Sequence, residues 1–331
     1  MARLDRVGAL RGWLMSSVVV LGAGAWGTAL ALHALRQGHQ VTLWARSAAA
    51  LARTRTNPRL PGHDLPAALR LETDIFSAMN GADLAIMAVP VQHLRNVGSN
   101  LPPMPMLLAC KGVETSTGLF PSEILNRPRL GVLSGPTFAA EIAKGLPAAG
   151  VVASADPAVG TLASAALSGS KLRLYSSDDV LGVQAGAAIK NVLAIGAGAA
   201  TGAGLGENAR AALITRGLAE LSRLVLALGG RAETAAGLSG LGDLLLTASS
   251  QTSRNTVLGL RLGRGASLLE ALAESKGVAE GVATAPALLS RAERLGVELP
   301  ICTAVAAILD GRTSVSSAMT YLLARPSRSE T

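Results

Sequence analysis

A β-branched run that leads directly into a glycine-rich turn constrains the fold of this chain more than any other feature. Residues 17–21 are Ser-Val-Val-Val-Leu, and Gly22, Gly24 and Gly27 follow them at the spacing G-x-G-x-x-G. Residues 26–36 then have the composition and length of a helix. A glycine triplet in this strand–turn–helix setting predicts a phosphate-binding turn for a dinucleotide.

Each glycine of the turn has its own physical reason. Gly22 allows the tight bend, Gly24 lets the backbone approach a pyrophosphate, and Gly27 lets the helix pack close to the sheet. The unpaired N–H groups and positive dipole end of that helix then face the diphosphate. A chain with 37 glycines also produces such a triplet by chance, so a purely structural turn is the alternative. The setting favours the dinucleotide.

Composition limits the class of protein. The chain has 331 residues, 49% hydrophobic and 16% charged, which is typical of a folded, soluble protein large enough for two domains. The chain has no uninterrupted run of about 18 apolar residues, so we predict no membrane span. Residues 192–205 are the nearest candidate, and we predict that they form a core helix and a turn. The net charge of +8 either attracts anions such as phosphates or only affects solubility. Because the chain lacks a basic block and an aromatic platform, nucleic acid is not an expected partner.

Cysteine and histidine usage argues against a disulfide framework and a metal centre. Cys110 and Cys302 lie far apart and outside any paired motif, which fits a reducing cytoplasm. The four histidines do not cluster with cysteines or carboxylates at ligand spacing, so we predict no metal. Residues 1–16 form an N-terminal extension without the features of a secretory signal. Met15 is an alternative start, and we expect residues 1–14 to be peripheral or disordered.

The order of the predicted elements gives the fold class. Strands are predicted at 17–21, 40–44, 83–90, 106–110, 129–133, 148–154 and 171–175, with helical or loop segments between them. After Asp179 this alternation stops and the chain is helix and glycine-rich turn. One helix face there is formed by Ile214, Leu218, Leu221, Val225 and Leu228. This apolar stripe by itself predicts only that the face packs in the hydrophobic core.

We therefore predict two domains and a substrate cleft between them. The first is an α/β N-terminal Rossmann-like domain with a mostly parallel sheet, over residues 17–178. The second is an all-α C-terminal domain over residues 179–324, followed by a tail over residues 325–331. Helical domains of this kind often self-associate, so a homodimer is expected, although the sequence identifies no surface for it.

The residue after the second strand bears on cofactor choice. NAD-selective proteins place an Asp or Glu there to bind the ribose 2′-hydroxyl. This chain has Arg46 instead, and its next acid is Asp64. A guanidinium suits a 2′-phosphate, so NADP is expected as a cofactor beside NAD. The alternative is that Arg46 only stacks on the adenine.

Ligand-binding residues are expected where the strands end. Parallel open sheets bind ligands beyond the carboxyl ends of their strands. Lys111, Gly135 and Thr137 each follow a predicted strand directly and occupy that kind of position.

Lys190 is the candidate acid/base residue. A nicotinamide oxidoreductase needs a proton donor for the oxygen whose carbon receives hydride. No Tyr-x-x-x-Lys pair is present, and metal-activated chemistry lacks its ligands. Lys190 is the only charge between Asp179 and Glu207, on an apolar helix beside Asn191. Partial burial would lower its pKa from about 10.4 toward a working range. The alternative is a lysine that snorkels at a helix edge.

Two further stretches complete the predicted site. Asp243 lies on a glycine-rich turn into a helix and can hold the Lys190 ammonium. Residues 253–255, Ser-Arg-Asn, offer a hydroxyl, a guanidinium and an amide for a small phosphate. A surface ion pair is the alternative for Arg254, but no acid lies within four residues of it.

Six motifs together resemble one family. They are residues 22–29, 109–112, 134–139, 189–192, 237–244 and 253–255, and they have the order and spacing of bacterial-type NAD(P)-dependent glycerol-3-phosphate dehydrogenases. The resemblance runs from about residue 17 to residue 322. It implies reversible reduction of dihydroxyacetone phosphate to sn-glycerol 3-phosphate, which feeds phospholipid synthesis.

The resemblance also implies residue roles. Lys190 is implied as the acid/base residue. The residues implied around substrate are Lys111, Gly135, Thr137, Asp243, Ser253, Arg254 and Asn255. Those implied to line the cofactor are Ala25, Trp26, Arg46, Lys111, Ala139, Arg254, Val278 and Glu280. Gln184 departs from the family, which often has Glu there, and the N-terminal extension is unusual.

Two other functions stay open from the sequence. A related two-domain dehydrogenase acting on a 3-hydroxyacid or ketopantoate-type substrate would also use a lysine, but would need the phosphate cradle at residues 253–255 less. A non-catalytic dinucleotide sensor would keep the glycine turn without a lysine–aspartate pair.

Overall fold

The computed structural model of the protein describes residues 15–274 and 279–326. Eight strands in its first half form one sheet. They are β1 (Ser17–Leu21), β2 (Gln40–Trp44), β3 (Arg70–Glu72), β4 (Leu84–Met87), β5 (Met106–Leu108), β6 (Leu130–Ser134), β7 (Ala148–Ala153) and β8 (Leu172–Ser177). The strand order is β3-β2-β1-β4-β5-β6-β7-β8, so β1 lies inside the sheet and its switch point falls between β1 and β4.

The sheet is parallel except at one pair. β1 pairs in parallel with β2 and β4, and the other neighbours follow the same sense until β6, which pairs antiparallel with β7. The inner strands β1, β4 and β5 are almost entirely apolar and buried, which is typical of parallel strands that are covered on both faces. Val19, Val20 and Leu21 of β1 are fully buried.

Helices connect the strands of the sheet half. They are α1 (Ala25–Arg36), α2 (Ala48–Thr54), α3 (Ile75–Met79), α4 (Val91–Gly98), α5 (Pro121–Leu125), α6 (Ala139–Lys144) and α7 (Pro157–Leu167). The short strand β3 is an element that the sequence analysis did not predict. It adds to the sheet edge beside β2, through the pairs Thr42↔Arg70 to Trp44↔Glu72.

The helical half follows β8 directly. Its helices are α8 (Val180–Gly202), α9 (Gly206–Ala227), α10 (Ala232–Ala236), α11 (Asp243–Ser249), α12 (Arg254–Gly263), α13 (Leu268–Ala273), α14 (Glu280–Arg294), α15 (Pro300–Leu309) and α16 (Val315–Leu323), with a π-helical turn at Leu238–Gly242. A mostly parallel sheet domain followed by helices confirms the predicted fold class. The domain bounds at 17–178 and 179–324 stay a prediction.

Helix α8 is the core of the helical half. Within the described residues, only α8 is long and apolar enough to cross a membrane, but 89% of its apolar window is buried inside the protein. The predicted stripe packs beside it: Leu221 and Val225 of α9 are fully buried, and Leu218 packs against the same cluster. The predicted extension at residues 1–14 and part of the predicted tail lie outside the described residues.

Candidate active site

The glycine turn lies at the carboxyl end of β1, and two of its glycines are required by the protein itself. Gly22 has φ of +119°, and a Cβ there would lie 2.9 Å from the backbone of Ala88. A Cβ on Gly27 would lie 2.0 Å from the Gly22 carbonyl oxygen. Gly24 differs, because it has φ of −70° and a Cβ there would meet no protein atom within 4 Å. The space over Gly24 is open to a ligand.

Helix α1 presents an uncapped N-terminus to that space. Gly24 is its N-cap and supplies no side-chain hydrogen bond, and no acid lies in its first turn. The first N–H groups of a helix have no partner within the helix, so they attract an anion. Ala25 and Trp26 open the helix and are partly exposed.

Asn57 braces the turn from the loop after α2. Its Nδ2 donates to the Ala23 carbonyl oxygen at 3.2 Å and to Thr28 Oγ1 at 2.7 Å, and the residue is buried. The sequence analysis missed this contact, because Asn57 lies in a Pro/Gly-rich loop and nothing in the pattern connects it with the turn.

Arg46 is exposed just beyond the end of β2. The Trp44 carbonyl oxygen of β2 accepts a hydrogen bond from Gly22 N at 3.0 Å, so the end of β2 adjoins the turn. Within the described residues, no hydrogen bond or ion pair holds the Arg46 guanidinium. Arg46 therefore stands close to the turn as an exposed cation.

One buried carboxylate joins both halves of the molecule. Asp243, the first residue of α11, is 1% exposed and accepts hydrogen bonds from two lysines. Lys190 Nζ, from α8, donates to its Oδ1 at 2.6 Å, and Lys111 Nζ, from the loop after β5, donates to its Oδ2 at 2.7 Å. The predicted Lys190–Asp243 contact is therefore present in the structure, and Lys111 joins it. Two ammonium groups around one carboxylate leave a net positive charge.

The environment shifts the pKa values of this cluster. Burial is the largest cause that lowers the pKa of the Lys190 ammonium, and the charge of Lys111 acts in the same direction, whereas the carboxylates of Asp243 and Glu280 raise it; together these effects lower the pKa to about 8. Burial favours the neutral form of Asp243, but the two lysines outweigh that effect and hold the pKa of its carboxyl below the ordinary value. Lys190 is thus an ammonium that can lose its proton near neutral pH.

Thr247 is a second residue that the sequence analysis missed. Lys190 Nζ donates to its Oγ1 at 3.0 Å, and that hydroxyl donates to the Asp243 carbonyl oxygen at 2.6 Å. Thr247 lies four residues after Asp243 on α11, and residues four apart lie on the same helix face. That spacing could have indicated it.

The loop after β6 lies beside Lys111. Gly135 has φ of +129°, and a Cβ there would lie 2.8 Å from Gly150 Cα. Its carbonyl oxygen accepts hydrogen bonds from Lys111 Nζ at 3.3 Å and from Thr137 Oγ1 at 3.2 Å. Ala139 begins α6 and is partly exposed. These contacts bring Gly135 and Thr137 to the same edge as Lys111.

The stretch at residues 253–255 lies next to Lys190 through a buried amide. Asn255 Nδ2 donates to Asn191 Oδ1 at 3.0 Å, and Asn255 Oδ1 accepts from Gly281 N at 3.0 Å. Asn191 adjoins Lys190 and Gly281 adjoins Glu280, so this one side chain joins α12, α8 and α14. Ser253, Arg254 and Glu280 are brought to the same region as Lys190, whereas Val278 lies outside the described residues.

Two of these side chains are less free than the sequence suggested. Ser253 Oγ caps α12 by accepting from Thr256 N at 3.3 Å, and Asn255 is used as described above. The hydrogen-bond donors that they can still offer to an anionic ligand are the Ser253 hydroxyl proton and the second Asn255 N–H. Arg254 is exposed, and within residues 15–274 and 279–326 it has no acid partner.

Comparison with known proteins identifies the family. A model described as the N-terminus of NAD-dependent glycerol-3-phosphate dehydrogenase matches residues 17–160, and one for the C-terminus matches residues 179–320. A glycerol-3-phosphate dehydrogenase (NAD(P)+) of Rhodospirillum rubrum is 47% identical, covering 96% of this chain and 95% of its own length. One of Leptothrix cholodnii is 49% identical, covering 95% and 99%. The crystal structure of glycerol-3-phosphate dehydrogenase from Coxiella burnetii has a TM-score of 0.89 at 34% identity, covering 94% and 99%.

Proposed function

This chain belongs to the NAD-dependent glycerol-3-phosphate dehydrogenase family and is an NAD(P)-dependent oxidoreductase, and from that premise we propose that it reduces dihydroxyacetone phosphate reversibly to sn-glycerol 3-phosphate. One observation carries the proposal. A lysine with a pKa of about 8 is held by Asp243 in a buried site that adjoins both Lys111 and the 253–255 stretch. That arrangement combines a proton donor with groups suited to a phosphate.

We assign roles to the predicted residues on this basis. The catalytic residues are Lys190 and Asp243. The substrate-binding residues are Lys111, Gly135, Thr137, Lys190, Asp243, Ser253, Arg254 and Asn255. The cofactor-binding residues are Gly22, Gly24, Ala25, Trp26, Gly27, Arg46, Lys111, Ala139, Arg254, Val278 and Glu280. Thr247 joins the catalytic group because it contacts Lys190 Nζ.

The residues around the glycine turn fit a bound dinucleotide. A Cβ on Gly24 would meet no protein atom within 4 Å, but it would occupy the space that a diphosphate needs. The uncapped first turn of α1 offers N–H donors to that diphosphate. Arg46 suits a 2′-phosphate, which supports NADP as well as NAD. When bound, the nicotinamide supplies the hydride that reduces C2 of the ketone.

Lys190 handles the proton of the reaction. As the ketone is reduced, negative charge develops on its oxygen, and the Lys190 ammonium donates a proton to that oxygen. Asp243 and Thr247 fix the direction of Nζ by holding it at 2.6 and 3.0 Å. The net positive charge of the two lysines stabilises the developing alkoxide before the proton moves. In the reverse direction the neutral amine takes the proton back.

The phosphate of the substrate orients its ketone. Arg254 is an exposed cation at the start of α12, where the helix N–H groups also attract an anion. Asn255 couples that helix start to Asn191, beside Lys190. Binding energy at the phosphate, remote from the reacting carbon, then positions C2 for reaction.

Replacing Lys190 tests the function directly. Lys190→Met keeps an apolar stem of similar length but removes the proton donor, and we expect kcat for ketone reduction to fall at least about 10²-fold. Cofactor binding, measured by titration of NADPH fluorescence, should remain. A Lys190→Met enzyme with near-normal kcat would show that another group donates the proton.

A substrate comparison separates this function from the open alternatives. Dihydroxyacetone phosphate should be reduced much faster than unphosphorylated ketoacids, because only the former has a phosphate for Arg254. Preference for a ketoacid would favour a hydroxyacid or ketopantoate-type reductase. Cofactor binding with no NADPH oxidation on any of these ketones would favour a sensor.

The wider role is part of the same proposal. We expect the product to supply glycerophospholipid synthesis in the cytoplasm, where the free, buried thiols of Cys110 and Cys302 stay reduced. Homodimerisation is also proposed, and light scattering on the purified protein tests it. NADPH and NADH compared in one assay, with Arg46→Ala beside the parent, test the cofactor preference.

A further inference from the structure

One face of α8 runs along the segment that ends in Asp243. Gly182, Gly186 and Lys190 follow each other at a spacing of four residues, so they lie on the same side of the helix. Opposite that side runs the chain from Arg231 to Asp243, through α10 and the π-helical turn. The Lys190–Asp243 contact is the upper end of this line of contacts.

The middle of this line is a close approach between backbones. A Cβ on Gly186 would lie 2.4 Å from the Ser239 carbonyl oxygen, so α8 and the π-helical turn touch there without a side chain between them. Four residues separate this contact from Lys190 on α8, and four separate it from Asp243 on the opposite segment. A shift of either segment therefore moves Asp243 relative to Lys190.

Asp179 forms the lower end of the line. Its carboxylate is buried, with Oδ1 accepting from Gly182 N at 2.8 Å and Oδ2 accepting from Arg231 N at 2.9 Å. The first bond caps α8, the helix that carries Lys190. The second holds the residue before α10, from which the chain leads to Asp243. One side chain thus joins the starts of the two segments that meet again at the catalytic pair.

We propose that Asp179 is a positioning residue for the reaction, because its two hydrogen bonds set the approach of Asp243 to Lys190. This inference rests on the proposed function of Lys190 as proton donor. Asp179 itself lies more than two helical turns from Lys190 along α8 and acts only through the backbone of the two segments. Gly182 and Gly230 leave room for its carboxylate: a Cβ on either would lie within 3 Å of an Asp179 oxygen.

Asp179→Asn separates the two hydrogen bonds. Asparagine caps a helix about as well as aspartate does, so the amide oxygen keeps the bond to Gly182 N and α8 keeps its cap. The amide nitrogen cannot accept from Arg231 N, so the tie between the segments is lost. Asp178→Asn is the matched control, because Asp178 is the neighbouring acid, is exposed, and bonds the Arg231 side chain at 2.5 Å and not the Arg231 backbone N–H that Asp179 holds.

The expected effect is on turnover and on its pH dependence. Asp179→Asn should lower kcat for ketone reduction about 10- to 10²-fold, as small misplacements of catalytic groups do, with the KM for NADPH unchanged. The groups that face Lys190 are Asp243, Lys111 and Glu280, and the Asp243 charge raises its pKa. A displaced Asp243 therefore moves the alkaline limb of kcat/KM to lower pH. Asp178→Asn should stay within about twofold of the parent.

A second variant guards against a simple folding defect. Gly230→Ala keeps the Asp179 charge but places a Cβ 2.9 Å from its Oδ1, which pushes the carboxylate from Arg231 N. Like Asp179→Asn, this variant should lower kcat and move the alkaline limb of kcat/KM to lower pH. If both variants keep the parental kcat and limb while Lys190→Met is inactive, Asp179 is only structural and the proposed function stands. If Lys190→Met is itself active, the proposed function fails first.

Discussion

At the scale of single residues, the site depends on one carboxylate that serves two lysines. Asp243 is 1% exposed and bonds both Nζ atoms, so the cluster carries one positive charge in excess. Breaking a buried ion pair by removing one partner leaves an uncompensated charge and is costly. The excess charge lies where the substrate oxygen becomes negative in the proposed reaction. The cluster therefore stabilises the transition state more than the neutral ketone.

The pKa of Lys190 predicts the pH dependence of both directions. Ketone reduction needs the ammonium, so its kcat/KM should be level at lower pH and fall as pH rises through about 8. Oxidation of glycerol 3-phosphate needs the neutral amine, so its kcat/KM should rise through the same pH. Initial rates in both directions across pH 6 to about 10.5 measure this, since kcat/KM reports the free enzyme. Two limbs moving in the same sense would contradict the assignment.

Lys111→Met should move the alkaline limb of kcat/KM for ketone reduction to higher pH. The Lys111 charge lowers the pKa of Lys190, so its removal leaves the Asp243 and Glu280 carboxylates to stabilise the ammonium without an opposing lysine. The alkaline limb of ketone reduction then shifts to higher pH, although kcat/KM itself should fall with the loss of a proposed substrate contact. Asp243→Asn is the opposing control, because loss of its charge shifts the limb to lower pH. Equal shifts in one direction would show that the three groups are not electrostatically coupled.

Some residues of the site could be predicted from the sequence and others could not, for a physical reason. Lys190 could be found because a single charge on an apolar helix is conspicuous, and Lys111 because it follows a strand. Which groups contact each other depends on packing: Lys111 and Asp243 are 132 residues apart in sequence. Asn57 could not be found, since a loop asparagine has no periodic pattern around it.

At the scale of elements, continuous apolar runs made the buried strands predictable. β1, β4 and β5 lie within the predicted stretches because buried parallel strands are apolar almost throughout, and β2, which alternates between buried and more exposed residues, also lies within its predicted stretch. β3 was missed, since Arg70, Leu71 and Glu72 are too few and too polar to show a pattern. The antiparallel sense of β7 also escaped prediction, because strand direction depends on the connection and not on the composition of the strand.

Helices α8 and α12 pack through glycines, which predicts a clear stability difference. A Cβ on Gly259 of α12 would lie 2.0 Å from the Ile195 carbonyl oxygen of α8, so Gly259→Ala forces the helices apart. We expect a loss of about 1–3 kcal/mol in the free energy of unfolding, the range of overpacked cores. Because α12 begins at Arg254, kcat/KM should fall as well.

Gly160→Ala is the control for that substitution. Gly160 lies inside α7, and a Cβ there would meet nothing within 4 Å. Alanine is favoured over glycine in a helix, so this variant should gain about 0.5–1 kcal/mol. Urea denaturation of both variants measures the difference. Equal stabilities would mean that the α8–α12 contact is looser than the structure has it.

At the scale of the whole molecule, the proposed site is divided between the two halves. The glycine turn, Arg46 and Lys111 come from the sheet half, whereas Lys190, Asp243 and Arg254 come from the helical half. Outside the site the halves are also joined: Arg291 of α14 bonds Glu123 at 2.6 Å, and Arg294 donates to the Thr117 carbonyl oxygen at 3.1 Å. Both contacts hold the segment that follows Lys111, so its position is determined from both sides.

This division predicts that the cofactor stabilises both halves together. The proposed cofactor residues include Gly24 and Arg46 in one half and Arg254 and Glu280 in the other. NADPH at 100 times its Kd should therefore raise the free energy of unfolding by about 2.7 kcal/mol. The two halves should still unfold in a single transition. Differential scanning calorimetry measures this, with Gly24→Ala as control: its fold should be unchanged, because its Cβ meets no protein atom, but its gain should be smaller. If NADPH raised the melting temperature of one half alone, the cofactor contacts assigned to the other half would be wrong.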